Sequence, residues 1–260
     1  MLNVDGGYLT FKMAFGSFEI WQMKYGKDVS IFAVDNKPKR KEIDPNYKLG
    51  RNKGKDNILE IVHALRNQIN DEKLLPLCSI EGLEADDIVT CWYLFNRDQK
   101  IVGVDKDFFQ LPNLEIIYYH NLKPYYFMET VEKLPDYVQS LALKNFALYQ
   151  MLLGDVADNI PRLLLKGKEG KEQIKDVLNT KDLQNTLYKL FGKESIEKNA
   201  KLVLLPYYEY MDSVYWFDHF CNGTYWDVIH WANLYYKIID CKLENKVTED
   251  NKLYDLFSLT

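Results

Sequence analysis

Residues 101–107, IVGVDKD, run from a short apolar stretch straight into two acids. A brief apolar run ending in Asp is the pattern of a buried strand whose last side chain reaches the edge of a sheet. The same pattern occurs in MLNVD at 1–5 and VSIFAVD at 29–35. PLCSI at 76–80 and LEIIYY at 114–119 supply two further candidate strands. Between these runs lie segments with apolar residues at helical spacing: 8–23 (YLTFKMAFGSFEIWQM), 56–70 (DNILEIVHALRNQIN) and 84–97 (EADDIVTCWYLFNR). Strands alternating with helices predict an α/β fold, with a mostly parallel central sheet flanked by helices. Right-handed crossovers bring the carboxyl ends of such strands to one edge, where open α/β sheets bind ligands. Asp5, Asp35 and Asp105 are therefore expected to converge.

Further acids join them by simple periodicity. Glu84 and Asp87 are three apart at a helix start, with Asp86 beside them. Asp105 and Asp107 are two apart and point the same way while the chain stays extended. Residues 141–153 read as an apolar helix closed by Gly154, with Asp155 and Asp158 in the turn beyond. Taken singly, each cluster has an ordinary reading. Asp5 and Asp35 suit turns, the acids of 84–87 suit the positive end of a helix dipole, and the remaining four suit caps. Five ordinary readings that all fall at one predicted edge are the less economical account. Nine carboxylates in one place repel each other and are costly to desolvate. A hard divalent cation with oxygen ligands removes that cost, so a metal site is the expectation.

Composition sets the frame. At 260 residues, with 47% apolar and 27% charged content, the chain reads as one large domain or a domain with an appendage. Cys78, Cys91, Cys221 and Cys241 show no CxxC spacing and read as reduced thiols. The start MLNVDGG lacks the basic and apolar pattern of a signal peptide, and no apolar run approaches about 18 residues. A soluble cytoplasmic protein without membrane association is expected. The net charge of −5 becomes +4 once the nine clustered acids are set aside, and basic residues bunch at 37–55 and 166–175. An acidic pocket flanked by basic segments remains compatible with a phosphodiester substrate. His63, His120, His219 and His230 lie outside the acidic clusters and are not expected to be catalytic.

The wording and order of the clusters add a family resemblance. VDG near the N-terminus, a VD strand end, YKLGR (47–51), EADD (84–87), VDKDFFQL (104–111) and GDVADNIP (154–161) stand in one order. Over roughly residues 1–180 this resembles the 5′-nuclease family of flap endonucleases and 5′→3′ exonucleases, in particular the short stand-alone bacteriophage enzymes. The resemblance implies a PIN-like α/β catalytic domain over 1–135, with a short arch around 37–57. It implies a helical region over 136–260, with a helix–three-turn–helix-like module at about 140–180 and an aromatic-rich helical tail. The implied ligands are Asp5, Asp35, Glu84 and Asp86 for one magnesium ion and Asp87, Asp105, Asp107, Asp155 and Asp158 for a second, with manganese able to substitute. Lys48 and Arg51 fall where the family places its catalytic basic residues, and Phe11 where it places an aromatic that stacks on a base. Tyr47, Lys53, Lys166, Lys168 and Lys171 are the other implied nucleic-acid contacts. Two departures stand out: the arch segment is short, and Arg162 and Leu165 occupy a hairpin that the family makes glycine-rich.

The activity so implied is magnesium-dependent hydrolysis of phosphodiesters near the 5′ end of DNA or RNA–DNA duplexes, including primer removal of the RNase H kind. Expected partners are duplex DNA with a 5′ end or flap, an RNA–DNA hybrid, and a single-strand-binding protein or polymerase. A monomer in the cytoplasm, that of a bacterial host if phage-encoded, is the accompanying expectation. Two competing readings are a non-catalytic nucleic-acid-binding replication scaffold and a PIN-type single-strand ribonuclease.

Overall fold

A computed structural model describes residues 31–33, 35–49, 77–103, 105–111, 113–119, 123–207 and 228–244. The expected strand at 1–5 and the helices at 8–23 and 56–70 lie outside the described residues, as do Asp5, Phe11, Arg51 and Lys53. Strand β1 (Phe32–Ala33) pairs in parallel with β2 (Leu77–Cys78), in the register Phe32 to Leu77 and Ala33 to Cys78. The two chains stay side by side beyond the strands. Asn36 N donates to Leu83 O at 2.9 Å, Lys39 N donates to Gly82 O at 3.0 Å, and Pro38 bridges Gly82 in parallel. This pairing sets the short helix α1 (Arg40–Ile43) beside the start of α2 (Ala85–Phe95).

The acids of the 84–97 run fall at the helix start, as their favourable interaction with the macrodipole requires. The rest of α2 is nearly all apolar and goes inward, with Ile88 and Cys91 fully buried. Residues 101–103 run parallel to β3 (Ile116–Tyr118) through the Val102–Tyr118 bridge, and β3 pairs antiparallel with β4 (Pro124–Tyr126). Parallel order is thus present at two places among the described residues, with an antiparallel hairpin added at β3–β4. The 101–105 run stops short of a long strand because Asp105 Oδ1 accepts from Asp107 N at 2.9 Å. That bond opens a 3₁₀ turn over Lys106–Gln110, which buries Phe108 and Phe109.

Helices then follow in close succession: α3 (Phe127–Val131), α4 (Asp136–Lys144), α5 (Phe146–Leu153), α6 (Gly167–Asn179), α7 (Leu183–Phe191), α8 (Lys193–Val203) and α9 (Val228–Glu244). The single helix expected at 141–153 is in fact two. Asn145 takes an extended backbone (φ −159°, ψ 99°) and its side chain accepts from Leu148 N at 2.9 Å, capping α5. An Asn that satisfies an orphan amide itself competes with continued helix. Helix α4 packs on α5 and α6, α8 packs on α5 and α1, and α9 packs on α2 and β2. One apolar core runs through these layers, from Cys78 and Ile88 through Met151 and Leu152 to Ile196 and Ile238. Each large side chain so buried contributes about 1.5–3 kcal/mol. The aromatic tail enters this core where it is described, since Tyr235 stacks on Phe95 with ring centroids 4.1 Å apart.

Candidate active site

Three chain segments deliver carboxylates to one cleft. The start of α2 supplies Glu84 and Asp86, the end of the 101–105 run supplies Asp105 and Asp107, and the turn after α5 supplies Asp155 and Asp158. Six of the nine sequence-predicted acids therefore share a lining. The turn is held at its base, where Asp155 N donates to Ile160 O at 3.1 Å and Ile160 N donates to Asp155 O at 2.8 Å. Gly154 permits the tight exit from α5, with φ 68°. Its backbone is of a kind that side chains resist.

Of the other three predicted acids, Asp5 lies outside the described residues, and Asp35 and Asp87 are placed differently. Asp35 is exposed and caps α2, its Oδ1 accepting from Ala85 N at 2.8 Å, next to the cleft rather than in its lining. Asp87 does not reach the cleft. It is fully buried and turned the other way, onto Arg40 Nη1 (2.7 Å) and Nη2 (2.8 Å), Tyr207 N (2.7 Å) and Glu84 N (3.0 Å). Lys166, Lys168 and Lys171 stand exposed at the beginning of α6 and do not line it.

Lys48 and Tyr47 do reach the cleft. Lys48 forms an ion pair with Glu84, and its backbone N donates to Asp158 O at 3.0 Å. Tyr47 OH donates to Glu84 Oε2 at 2.9 Å. Asn159 Nδ2 donates to Asn46 O at 2.9 Å, so the 46–49 turn and the 155–160 turn clamp one another across the cleft. Arg40, Lys106 and Gln150 complete the polar lining, and Gln150 Nε2 donates to Asp107. Sequence reasoning passed over these three. Arg40 sits in the basic 37–55 run and reads there as a solvated charge. It is nonetheless one of only two arginines in that run, and Arg rather than Lys is the residue suited to buried, forked ion pairs.

The electrostatics follow from crowding. Burial first, then the charge of Asp105, pushes the Asp86 carboxyl well above its ordinary value. The same two causes, with Asp155 added, push Asp107 up to about 7. Burial would raise Glu84 as well, but the charges of Arg40 and Lys48 hold it below its ordinary value. The cleft thus carries more negative charge than its own cations offset. Among the described residues no group of three His, Cys, Asp or Glu side chains stands in a ready-made ligating arrangement. In kind, however, the donor set is all carboxylate oxygen, which suits a hard divalent cation and not a thiophilic one.

An α/β domain whose strand ends and helix starts gather acids into one cleft is the architecture of a resolvase-like, PIN-fold nuclease domain. Residues 5–136, just over half the chain, match the family described as "5'-3' exonuclease, N-terminal resolvase-like domain", and the chain belongs to that family. No curated protein sequence matches it. Among solved structures, the chain is similar to the T5 D15 protein co-crystallised with metal ions, at 18% identity and a TM-score of 0.56, over 93% of this chain and 96% of that one. It is also similar to the T5 5′-exonuclease with zinc bound, at 18% identity, TM-score 0.54 and coverage of 92% and 96%. A third is the bacteriophage T5 flap endonuclease in a pseudo-enzyme-product complex with DNA and metal ions, at 18% identity, TM-score 0.51 and 89% of both chains. At this identity the likeness is one of fold. It extends well past residue 180, into the helical region that sequence wording alone did not reach. Among the described residues no helix is long and apolar enough to cross a membrane.

Proposed function

We propose that the protein is a magnesium-dependent 5′-nuclease that hydrolyses phosphodiesters near the 5′ end of DNA or of an RNA–DNA hybrid, with flap cutting and primer removal as its uses. The observation that carries this reading is the convergence of Glu84, Asp86, Asp105, Asp107, Asp155 and Asp158 on one cleft that Lys48 also enters. Those six, together with Asp35 and, by the family resemblance, Asp5, are the residues that would hold magnesium, and manganese would serve in its place. When bound, the ions supply Lewis acidity and a water that loses its proton near neutral pH.

The chain's own residues do the rest. Lys48, which enters the cleft beside Glu84, would place positive charge where negative charge develops on the phosphate. Arg51 acts with it as the second basic residue. By the family resemblance, Phe11, Tyr47 and Lys53 would contact the substrate near its 5′ end. Lys166, Lys168 and Lys171, exposed at the start of α6, would bind duplex phosphates by charge, with α5, the following turn and α6 acting as the helix–three-turn–helix module. Phosphate contacts of this kind position a duplex without reading its bases, so specificity rests on the shape of the 5′ end. Asp87 is assigned a supporting role through Arg40.

The test is a duplex with a labelled 5′ single-stranded flap, incubated with magnesium, with excess chelator, and with an Asp155→Asn variant. Magnesium-dependent cutting near the flap junction that the variant loses is the expected result. Tight binding without cutting would overturn the catalytic reading in favour of a non-catalytic scaffold. Cutting confined to single-stranded RNA would replace it with a ribonuclease.

A further inference from the structure

The guanidinium of Arg40 lies beneath the cleft and gathers three parts of the chain. It is 2% exposed. Its Nη1 donates to Glu84 Oε2 at 2.9 Å and to Asp87 Oδ2 at 2.7 Å. Its Nη2 donates to Asp87 Oδ1 at 2.8 Å and to Leu204 O at 2.9 Å, 164 residues away in sequence. The Tyr207 ring covers it at 5.2 Å, while Tyr207 N donates to Asp87 Oδ1. The two acids it holds differ in what they face. Asp87 is sealed from the cleft, whereas Glu84 lines it and offers its Oε1 to Lys48.

A carboxylate that presents one oxygen to a cation site is useful only while the other oxygen is held. Arg40 and Tyr47 OH both hold Glu84 Oε2, leaving Oε1 toward the cleft. Arg40 in turn is kept in place by the fixed fork on Asp87 and by the carbonyl of Leu204. We infer that Arg40 is a positioning residue for the metal-binding cleft, orienting Glu84 from behind and tying that orientation to the 204–207 segment after α8. This inference rests on the proposed metal-dependent function. Asp87 then matters as the anchor of the fork. Groups that orient a ligand carboxylate from behind typically change metal affinity by about 10–100-fold when removed.

Arg40→Lys tests it, because lysine keeps the charge but cannot bridge Glu84, Asp87 and the Leu204 carbonyl at once. The readout is Mn²⁺ binding to the protein alone by calorimetry, with thermal melting and flap cleavage measured alongside. The expected result is Mn²⁺ affinity about tenfold or more weaker, with a matching rise in the magnesium needed for half-maximal cleavage. The comparator is Leu187→Ala, which lowers stability from a fully buried site outside the cleft lining and should leave Mn²⁺ affinity unchanged. A double variant, Arg40→Met with Asp87→Leu, removes the buried pair as a unit and so leaves no lone charge in the core. It should fold and still bind Mn²⁺ weakly.

Unchanged Mn²⁺ affinity in either folded variant would overturn the inference. So would failure of both variants to fold, since that would make Arg40 a residue of the core alone. Weakened Mn²⁺ binding in a protein whose wild type cuts no flap would support Arg40's role while removing the nuclease reading, so the two fail separately.

Discussion

Lys48 holds a left-handed backbone, φ 56°, that a lysine adopts only where its surroundings enforce it. The enforcement is visible in the bond from Lys48 N to Asp158 O and in the ion pair with Glu84. A strained turn that aims a cation into an acidic cleft points to a task at that position. Lys48→Ala and Lys48→Gly should each slow cleavage by about 10²–10³-fold. The Gly variant should be the more stable of the two by up to about 1 kcal/mol, because it alone relieves the backbone. Wild-type rates in both would take Lys48 out of the mechanism. Asp107 yields a second prediction. Its folded pKa, pushed up to about 7 by burial and by Asp105, lies above the unfolded value of about 4. The stability it contributes is then fully present below about pH 4 and lost as pH rises through about 7. Asp107→Asn, which stays neutral, should raise the melting temperature of the chelated protein at pH 8 relative to wild type. The gain should be smaller at pH 5, at roughly 2–4 °C for each kcal/mol relieved. Equal shifts at the two pH values would contradict this. The identities of these acids were legible in sequence, but their fates were not. Asp86 and Asp87 are adjacent and alike, yet the helix turns one to the cleft and the other to the buried Arg40, a partner that spacing alone does not reveal.

The 154–161 turn shows what one element can and cannot disclose. Its Gly, its spaced acids and its Pro are all local, so the turn and its acidic face could be read directly. Gly154 has φ 68° and ψ −174°, a region nearly restricted to glycine. A Cβ there would lie 2.4 Å from Pro161 O and 2.5 Å from Ile160 O, so alanine must push the turn open. Gly154→Ala should cost about 1–3 kcal/mol of stability in a denaturant melt. It should also slow cleavage by more than the lost folded fraction accounts for, because a displacement of about 1 Å at a reacting centre can cost about 10²-fold. A stable, fully active alanine variant would show that Asp155 and Asp158 need no such turn. The helix before it was harder to read. Apolar residues continue on both sides of Asn145, so periodicity alone joins α4 to α5. The break is written in a single side chain, whose bond to Leu148 N no pattern of hydrophobicity records.

At the scale of the whole molecule, convergence was the readable part and linkage was the hidden part. Alternating strands and helices bring strand ends to one edge whatever the loops do, and this is why Asp5, Asp35 and Asp105 could be expected together. Asp105 lines the cleft, Asp35 stands next to it, and Glu84 and Asp107, expected from their spacing, join Asp105 there. The tie from Arg40 to Leu204 spans 164 residues and obeys no periodicity, so the dependence of the cleft on the segment after α8 had no sequence signal. One consequence can be measured on the intact protein. Six carboxylates from segments spread over residues 84–158 face one another with too little positive charge between them. A divalent cation bound only by the folded state adds about 2.7 kcal/mol at one hundred times its Kd, or roughly 5–10 °C in melting temperature for a chain of this size. Protons compete for the same oxygens, because Asp86 and Asp107 are both shifted upward. The magnesium-induced rise should therefore be larger at pH 8 than at pH 5.5, and a chelator should abolish it. Sodium chloride at matched ionic strength screens charge without filling the cleft and should give little of the effect. A rise that salt reproduces, or that does not depend on pH, would mean that these acids are merely crowded. A rise specific to magnesium and greatest at high pH would mean that the crowding exists to hold a cation.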